Sequence, residues 1–104
     1  MINPHFSLII LFFLSAAMAS EHQMIDTLGS SPKGQYVALE QYGYKDMNHS
    51  YYVRIQVMNV WTQEYVGKTF EVEMPASRRD DLARARNRAR SLALEELIKF
   101  DIRG

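Results

Sequence analysis

Pro75 separates two hydrophobic periodicities, and that division limits what this chain can fold into more than any other feature. Before it, apolar residues recur at every second position. Val53, Ile55 and Val57 alternate with Tyr52, Arg54, Gln56 and Met58, and Phe70, Val72 and Met74 alternate with Thr69, Glu71 and Glu73. This is the period of a half-buried strand. After it, Leu82, Ala85, Ala89, Leu92, Ala93 and Phe100 return at the 3.6-residue period of an amphipathic helix. Strands followed by one long helix predict an α+β fold: an antiparallel meander of three to four strands, covered on one face by a C-terminal amphipathic helix.

Turn chemistry places the strands. Ser31-Pro32-Lys33-Gly34 is a turn in which Pro presets the second position and Gly relieves the last. Gln35–Tyr44 and Tyr51–Met58 flank the polar loop Lys45–Ser50 and should form a hairpin. A connection around Asn59–Gln63 leads to the strand Lys68–Met74, and Met24–Leu28 adds a short edge strand. The helix is expected to be capped by Ser77, with Asp80 and Asp81 at its positive end, and to run to Lys99. Its wet side would carry Asp81, Arg84, Arg88, Ser91, Glu95 and Lys99, with Asp80–Arg84 and Glu95–Lys99 as i,i+4 pairs. The inward sheet positions are expected to be Val37, Leu39, Val53, Ile55, Val57, Phe70, Val72 and Met74.

The first twenty residues hold no charged side chain and are dominated by Phe6, Leu8–Leu11, Phe12, Phe13 and Leu14. The run is too short to span a bilayer, which takes roughly 20 consecutive apolar residues. It suits the apolar region of a secretory signal, and Ala17-Met18-Ala19 supplies the small-x-small pattern read by signal peptidase. Residues 1–19 are therefore expected to be a signal peptide cleaved between Ala19 and Ser20, leaving 20–104 as one small domain in the periplasm or secreted. No transmembrane segment is expected after cleavage. The 12 basic and 12 acidic residues balance, which gives no reason to expect nucleic acid as a partner. Without cysteine, stability must come from an apolar core or from association.

Around Leu28-Gly29-Ser30-Ser31-Pro32-Lys33-Gly34-Gln35-Tyr36-Val37-Ala38-Leu39-Glu40-Gln41-Tyr42-Gly43, the chain resembles a family of predicted secreted bacterial proteins of unknown function. That family carries a pattern of the type G-F-S-P-D-G-R-Y-x-A-F-E-E-Y-G. The likeness continues through Tyr52–Val66 and the Ala/Arg-rich helix, with departures at Lys33, Gln35 and Gln41. Members carry a further segment after the helix, so the resemblance covers their N-terminal half. It implies export and a fold, and no activity. The Ser-Pro-x-Gly-x-Tyr element also precedes strands in β-propeller blades, and the expected meander resembles one such blade.

Two clusters are candidate binding sites. Arg86 and Arg90 lie on the flank of the helix stripe with no acidic partner one turn away. They are either an anion clamp for phosphate or lipopolysaccharide, or stems that shield the core with heads paired to strand carboxylates such as Glu71 or Glu73. The second reading is the expectation. Tyr36, Glu40, Tyr42, Tyr52 and Arg54, with Gln56 and Glu71, are expected on the outward sheet face, as a sugar or peptide platform or as cross-strand pairs with Arg54 bridging to Glu40 or Glu71. His22, His49 and Asp46 do not complete a metal site, and no nucleophile, phosphate-loop or zinc-protease motif occurs. Neither catalytic residues nor a cofactor is expected. The leading expectation is a non-enzymatic module acting on an envelope protein or by self-association. The alternative is a fragment of a larger secreted enzyme.

Overall fold

The computed structural model describes residues 23–104. The signal-peptide boundary at Ala19 and Ser20, and His22, lie outside the described residues. Four strands, β1 (Met24–Ser30), β2 (Tyr36–Lys45), β3 (Ser50–Asn59) and β4 (Glu64–Pro75), precede helix α1 (Asp81–Lys99). They form one antiparallel sheet in the order β1-β2-β3-β4, the meander that the alternation predicts.

Each turn is closed by local chemistry. Between β1 and β2, Gly34 donates to the Ser31 carbonyl at 2.8 Å with φ +74°, and Tyr36 N–H reaches Ser31 Oγ at 3.0 Å. Between β3 and β4, Asn59 Oδ1 accepts from the backbones of Trp61 and Thr62, and Gln63 takes the left-handed conformation.

Helix α1 crosses the β3–β4 half of the sheet, where it meets both strands. Ala85, Ala89 and Ala93 are completely buried against Val53, Ile55, Val72 and Tyr42. These small side chains bring the helix close to the sheet, and Leu28, Phe70, Met74, Leu82 and Leu97 close the periphery. Leu92, expected inward, is instead half exposed, because alanines alone occupy the line of closest approach.

The β2 face is the main correction. Ala38, Glu40 and Tyr42 point to the helix, while Val37 and Leu39 occupy the other face. The β2–β3 loop pairs Lys45 with Ser50, which sets Tyr42 opposite Val53 and Glu40 opposite Ile55. Directly opposed residues share a sheet face, so the inward alternation of β3 dictates that of β2.

The helix start is also corrected. Ser77 does not cap it; the helix begins at Asp81, preceded by Asp80, which makes no side-chain cap bond. Asp81, expected on the wet side, is buried and inverts the cap. Its carboxylate accepts from Arg78 N–H at 2.6 Å, Ser77 N–H at 2.9 Å and Ser77 Oγ at 3.2 Å. These bonds, that of Arg78 foremost, hold its carboxyl below the usual aspartate value of 3.8. The expected i,i+4 pairs are replaced by i,i+3 pairs, Arg84–Asp81 at 3.1 Å and Lys99–Glu96 at 3.9 Å.

At the other end, Asp101 (φ +56°) donates to Ile98 O and Ile102 to Leu97 O, a Schellman closure. It turns the chain back so that Arg103 and Ser30 exchange backbone bonds at 3.1 and 3.0 Å. Gly29 is needed beside this contact, since a Cβ there would run into the Arg103 carbonyl.

Two outcomes test this architecture. Ile55 is fully buried at the centre of the sheet, so Ile55→Ala should cost roughly 2–5 kcal/mol in a denaturant melt. Asp81→Asn should be less stable than wild type at neutral pH. Because the folded carboxyl titrates below its ordinary value, its contribution is present above 3.8 and disappears as pH falls through the lower folded value. The gap between the two proteins should therefore narrow on acidification below 3.8, as read by urea melts across pH.

Candidate functional site

Arg86 and Arg90 stand one helical turn apart on the flank of α1 that faces β2 and β1. The helix backbone does not cover the inner face of those strands; the two arginine stems do. Beneath them lies Glu40, completely buried. Its Oε1 accepts from Arg86 Nη2 at 2.7 Å, Arg86 Nε at 3.1 Å and Arg90 Nη2 at 2.9 Å, and its Oε2 accepts from Arg90 Nε at 3.3 Å. Arg86 extends further, with Nη2 3.2 Å from Asp26 Oδ2. Tyr42 donates its hydroxyl to that same oxygen at 2.9 Å, and the guanidinium carbon of Arg86 sits 4.0 Å from the Tyr42 ring centroid.

The electrostatics follow from this arrangement. Hydrogen bonds to Glu40 hold the Arg86 guanidinium charge more firmly than usual, raising its pKa against the opposing effect of burial. Tyr42 is raised as well, first because its hydroxyl proton is held by Asp26 and then because it is buried. Two carboxylates face two guanidinium groups, so the cluster is formally neutral. An incoming phosphate would have to displace Glu40 from both arginines.

The sequence-predicted site residues thus fall into two groups on opposite faces. Glu40, Tyr42, Arg86 and Arg90 come together under the helix, joined by Asp26. Tyr36 is on the same face but packs on Phe100, ring centroids 4.9 Å apart. Tyr36, Glu40 and Tyr42 are therefore not on the outward face, for the register reason given above. The expected arginine–carboxylate pairing is present, with Glu40 and Asp26 as partners in place of Glu71 and Glu73. Tyr52 and Arg54 do lie outward, where Arg54 Nε meets Glu71 at 2.8 Å and Lys45 meets Glu73 at 2.6 Å. The Lys45 bond keeps the Glu73 carboxyl below its usual range. Lys45 also lies 5.7 Å from the Tyr52 ring centroid. An open depression of about 930 Å³ beside the β2–β3 hairpin includes these already paired charges.

Sequence reasoning missed three features. Asp26 belongs with Glu40 because it pairs opposite it across β1 and β2. Glu96 is buried on the other helix flank and accepts the Lys68 N–H at 2.8 Å. There Gly67, Lys68 and Thr69 bulge out of β4 opposite Gln56. The third is a groove of about 560 Å³ between β1 and α1, with Leu28, Leu94 and Leu97 along its walls and Arg86 and Arg90 at one end. Leu94 is 55% exposed, and Ile98, one turn further, is 68% exposed. Leu94 and Ile98 lie outside the main apolar stripe, so periodicity alone did not single them out.

Among the described residues, no group of three or more His, Cys, Asp or Glu is placed to hold a metal ion. His49 Nδ1 lies 2.9 Å from the Tyr44 hydroxyl. No helix of the described residues is long and apolar enough to cross a membrane.

No family model, curated protein or solved structure matches this chain. The likeness to secreted bacterial proteins rests on the sequence pattern of Leu28–Gly43, Tyr52–Val66 and the Ala/Arg-rich helix alone.

The structural role of the arginine pair has a direct test. Replacing Arg86 and Arg90 by Met keeps the stems and leaves Glu40 buried without compensation, which should cost about 3–5 kcal/mol. Adding Glu40→Met should restore most of that loss, because the buried carboxylate has then gone with its two partners, while half-exposed Asp26 keeps its bond from Tyr42. An unshifted melt of the double variant, together with lost salt-sensitive retention on immobilised phosphate, would identify an anion clamp instead.

Proposed function

We propose that this chain is a small exported module, periplasmic or secreted, that acts by binding another polypeptide and carries out no catalysis of its own. The observation that carries the reading is the groove beside β1, where Leu28, Leu94 and Leu97 lie among Asp26, Thr27, Arg86 and Arg90, with Leu94 and, next to the groove on the helix, Ile98 largely open to solvent. An apolar strip of this kind, bordered by charged residues, is the usual mark of an interaction surface. Four carboxylates of the sheet and helix are already engaged: Glu40 by two arginines, Asp81 by the loop before α1, Glu71 by Arg54 and Glu73 by Lys45. Export is supported by the apolar run ending in Ala17-Met18-Ala19 and by the likeness to secreted proteins.

The reading has two checks in one preparation. Protein recovered from the envelope fraction or the medium should have the intact mass of Ser20–Gly104; a retained Met1 would contradict export with cleavage. The variant Leu94→Glu/Ile98→Glu changes exposed positions only and should melt close to wild type. It should lose co-sedimentation with its own envelope fraction by about tenfold, which corresponds to roughly 1.4 kcal/mol of binding. Unchanged co-sedimentation would remove the groove from the interaction.

A further inference from the structure

We infer that the free edge of β1, from Met24 to Thr27, receives an extended segment of another polypeptide as an added antiparallel strand, with alternate apolar side chains of that segment seated in the groove of Leu28, Leu94 and Leu97. The inference rests on the binding role proposed above and names its partner's chemistry and pose.

The two sheet edges differ. On β4, the bulge at Gly67–Thr69 breaks the row of edge groups, and Glu96 already takes the Lys68 N–H. Glu64, Lys68, Glu71 and Glu73 add charge along the strand. Bulges and charges are the devices that protect an edge from pairing. β1 also has a bulge, at Leu28 between Thr27 and Gly29, but Met24–Thr27 keeps a regular register with β2. Asp26 is the one charged residue of β1, and it is tied to Arg86 and Tyr42; Met24, Ile25 and Thr27 are exposed.

The β1 edge also takes a strand partner already. Arg103 pairs antiparallel with Ser30 through two backbone bonds, and Gly104 lies beside the Leu28 carbonyl. The same edge continues without a partner strand along Met24–Thr27 among the described residues. A segment collinear with Ile102–Gly104 would pass the bulge at Leu28 and pair along Met24–Thr27. Its inward side chains would lie over Leu28, between β1 and the flank of α1 that carries Leu94, Leu97 and Ile98.

The chemistry of the guest follows from the groove. Its three charges, Asp26, Arg86 and Arg90, are paired among themselves and with the buried Glu40 beneath them, so a neutral, apolar, β-branched segment fits better than an acidic or basic one. A second copy of this chain fits less well. Twofold pairing centred on Asp26 sets that carboxylate against its own copy, and opposed like charges destabilise a strand pair.

The test uses the processed chain, Ser20–Gly104, and a blocked, fluorescein-labelled octapeptide of alternating valine and threonine. A second peptide has alternate backbone nitrogens methylated. The unmodified peptide should bind saturably by anisotropy and slow amide exchange within Met24–Leu28. The methylated peptide, and the Leu94→Glu/Ile98→Glu protein with the unmodified peptide, should each bind at least about tenfold more weakly. Equal binding of the methylated peptide would overturn strand addition, as would slowed exchange confined to β4. A sedimenting dimer that excludes the peptide would make the second copy the occupant and overturn the inference. Absence of peptide binding while envelope co-sedimentation remains dependent on Leu94 and Ile98 would remove strand addition and leave the proposed function standing.

Discussion

Glu40 is a carboxylate with no exposed surface in the middle of a sheet, and the placement of the helix is tied to it. Removing such a group from water costs several kcal/mol unless every lone pair finds a donor. Here the donors come from one helix only, at positions a single turn apart. If α1 slid by a turn, one of the two arginines would leave Glu40; if it rotated to bring Leu94 inward, both would, and the cost would be exposed. The alanine stripe supplies little of this specificity, because Ala85, Ala89 and Ala93 are nearly equivalent and would tolerate a register shift. The apolar contacts hold the helix to the sheet; the ionic group fixes where along the sheet it sits. Buried polar groups act in this way in several systems, at some expense in net stability.

Because the alanines draw α1 against β3 and β4, the other half of the inner face is left to be covered by long side chains. Arg86 and Arg90 cover β2 and reach Asp26 on β1. Beyond their span the larger apolar residues of the helix, Leu94 and Ile98, are covered by no strand, and Leu94 lines the groove beside β1. Thus one feature, the choice of small residues at the contact line, produces both the shielded ionic cluster and the open apolar groove. Glu96 performs the matching task on the opposite flank, where its carboxylate occupies the space left by Gly67; a Cβ at that position would collide with it.

Much of this was legible in the sequence, and the errors have identifiable causes. The order of the strands, the turn at Pro32 and Gly34, and the α+β class follow from periodicity and turn chemistry, which are local. The expected strand Lys68–Met74 is instead Glu64–Pro75, because the bulge at Gly67–Thr69 interrupts the alternation within one strand. The face of β2 is not local. Val37 and Leu39 look like core residues when β2 is read alone, and Glu40 looks like surface. The hairpin register that pairs Lys45 with Ser50 sets Glu40 opposite Ile55, and so inward. It also supplies an acid for the two arginines unpartnered within the helix. Asp81 escaped for a different reason. An acid in the first turn of a helix suits both an exposed dipole partner and a buried acceptor for the preceding loop, and only the folding back of Ser77 and Arg78 decides between them.

The groove beside β1 is held at both ends by these same contacts, and that gives it a fixed shape. At one end Arg86 ties α1 to Asp26 on β1 and to Glu40 on β2. At the other, Phe100 packs on Tyr36, and the Schellman turn delivers Arg103 to Ser30. Helix and strand are therefore pinned to each other on either side of Leu94, Leu97 and Leu28. A cleft that owed its width to the apolar residues themselves would close over them, since burial of that surface is favourable. The polar and aromatic ties resist that collapse, and the leucines remain available. Association with a pre-shaped surface loses less conformational entropy than association with one that must open first.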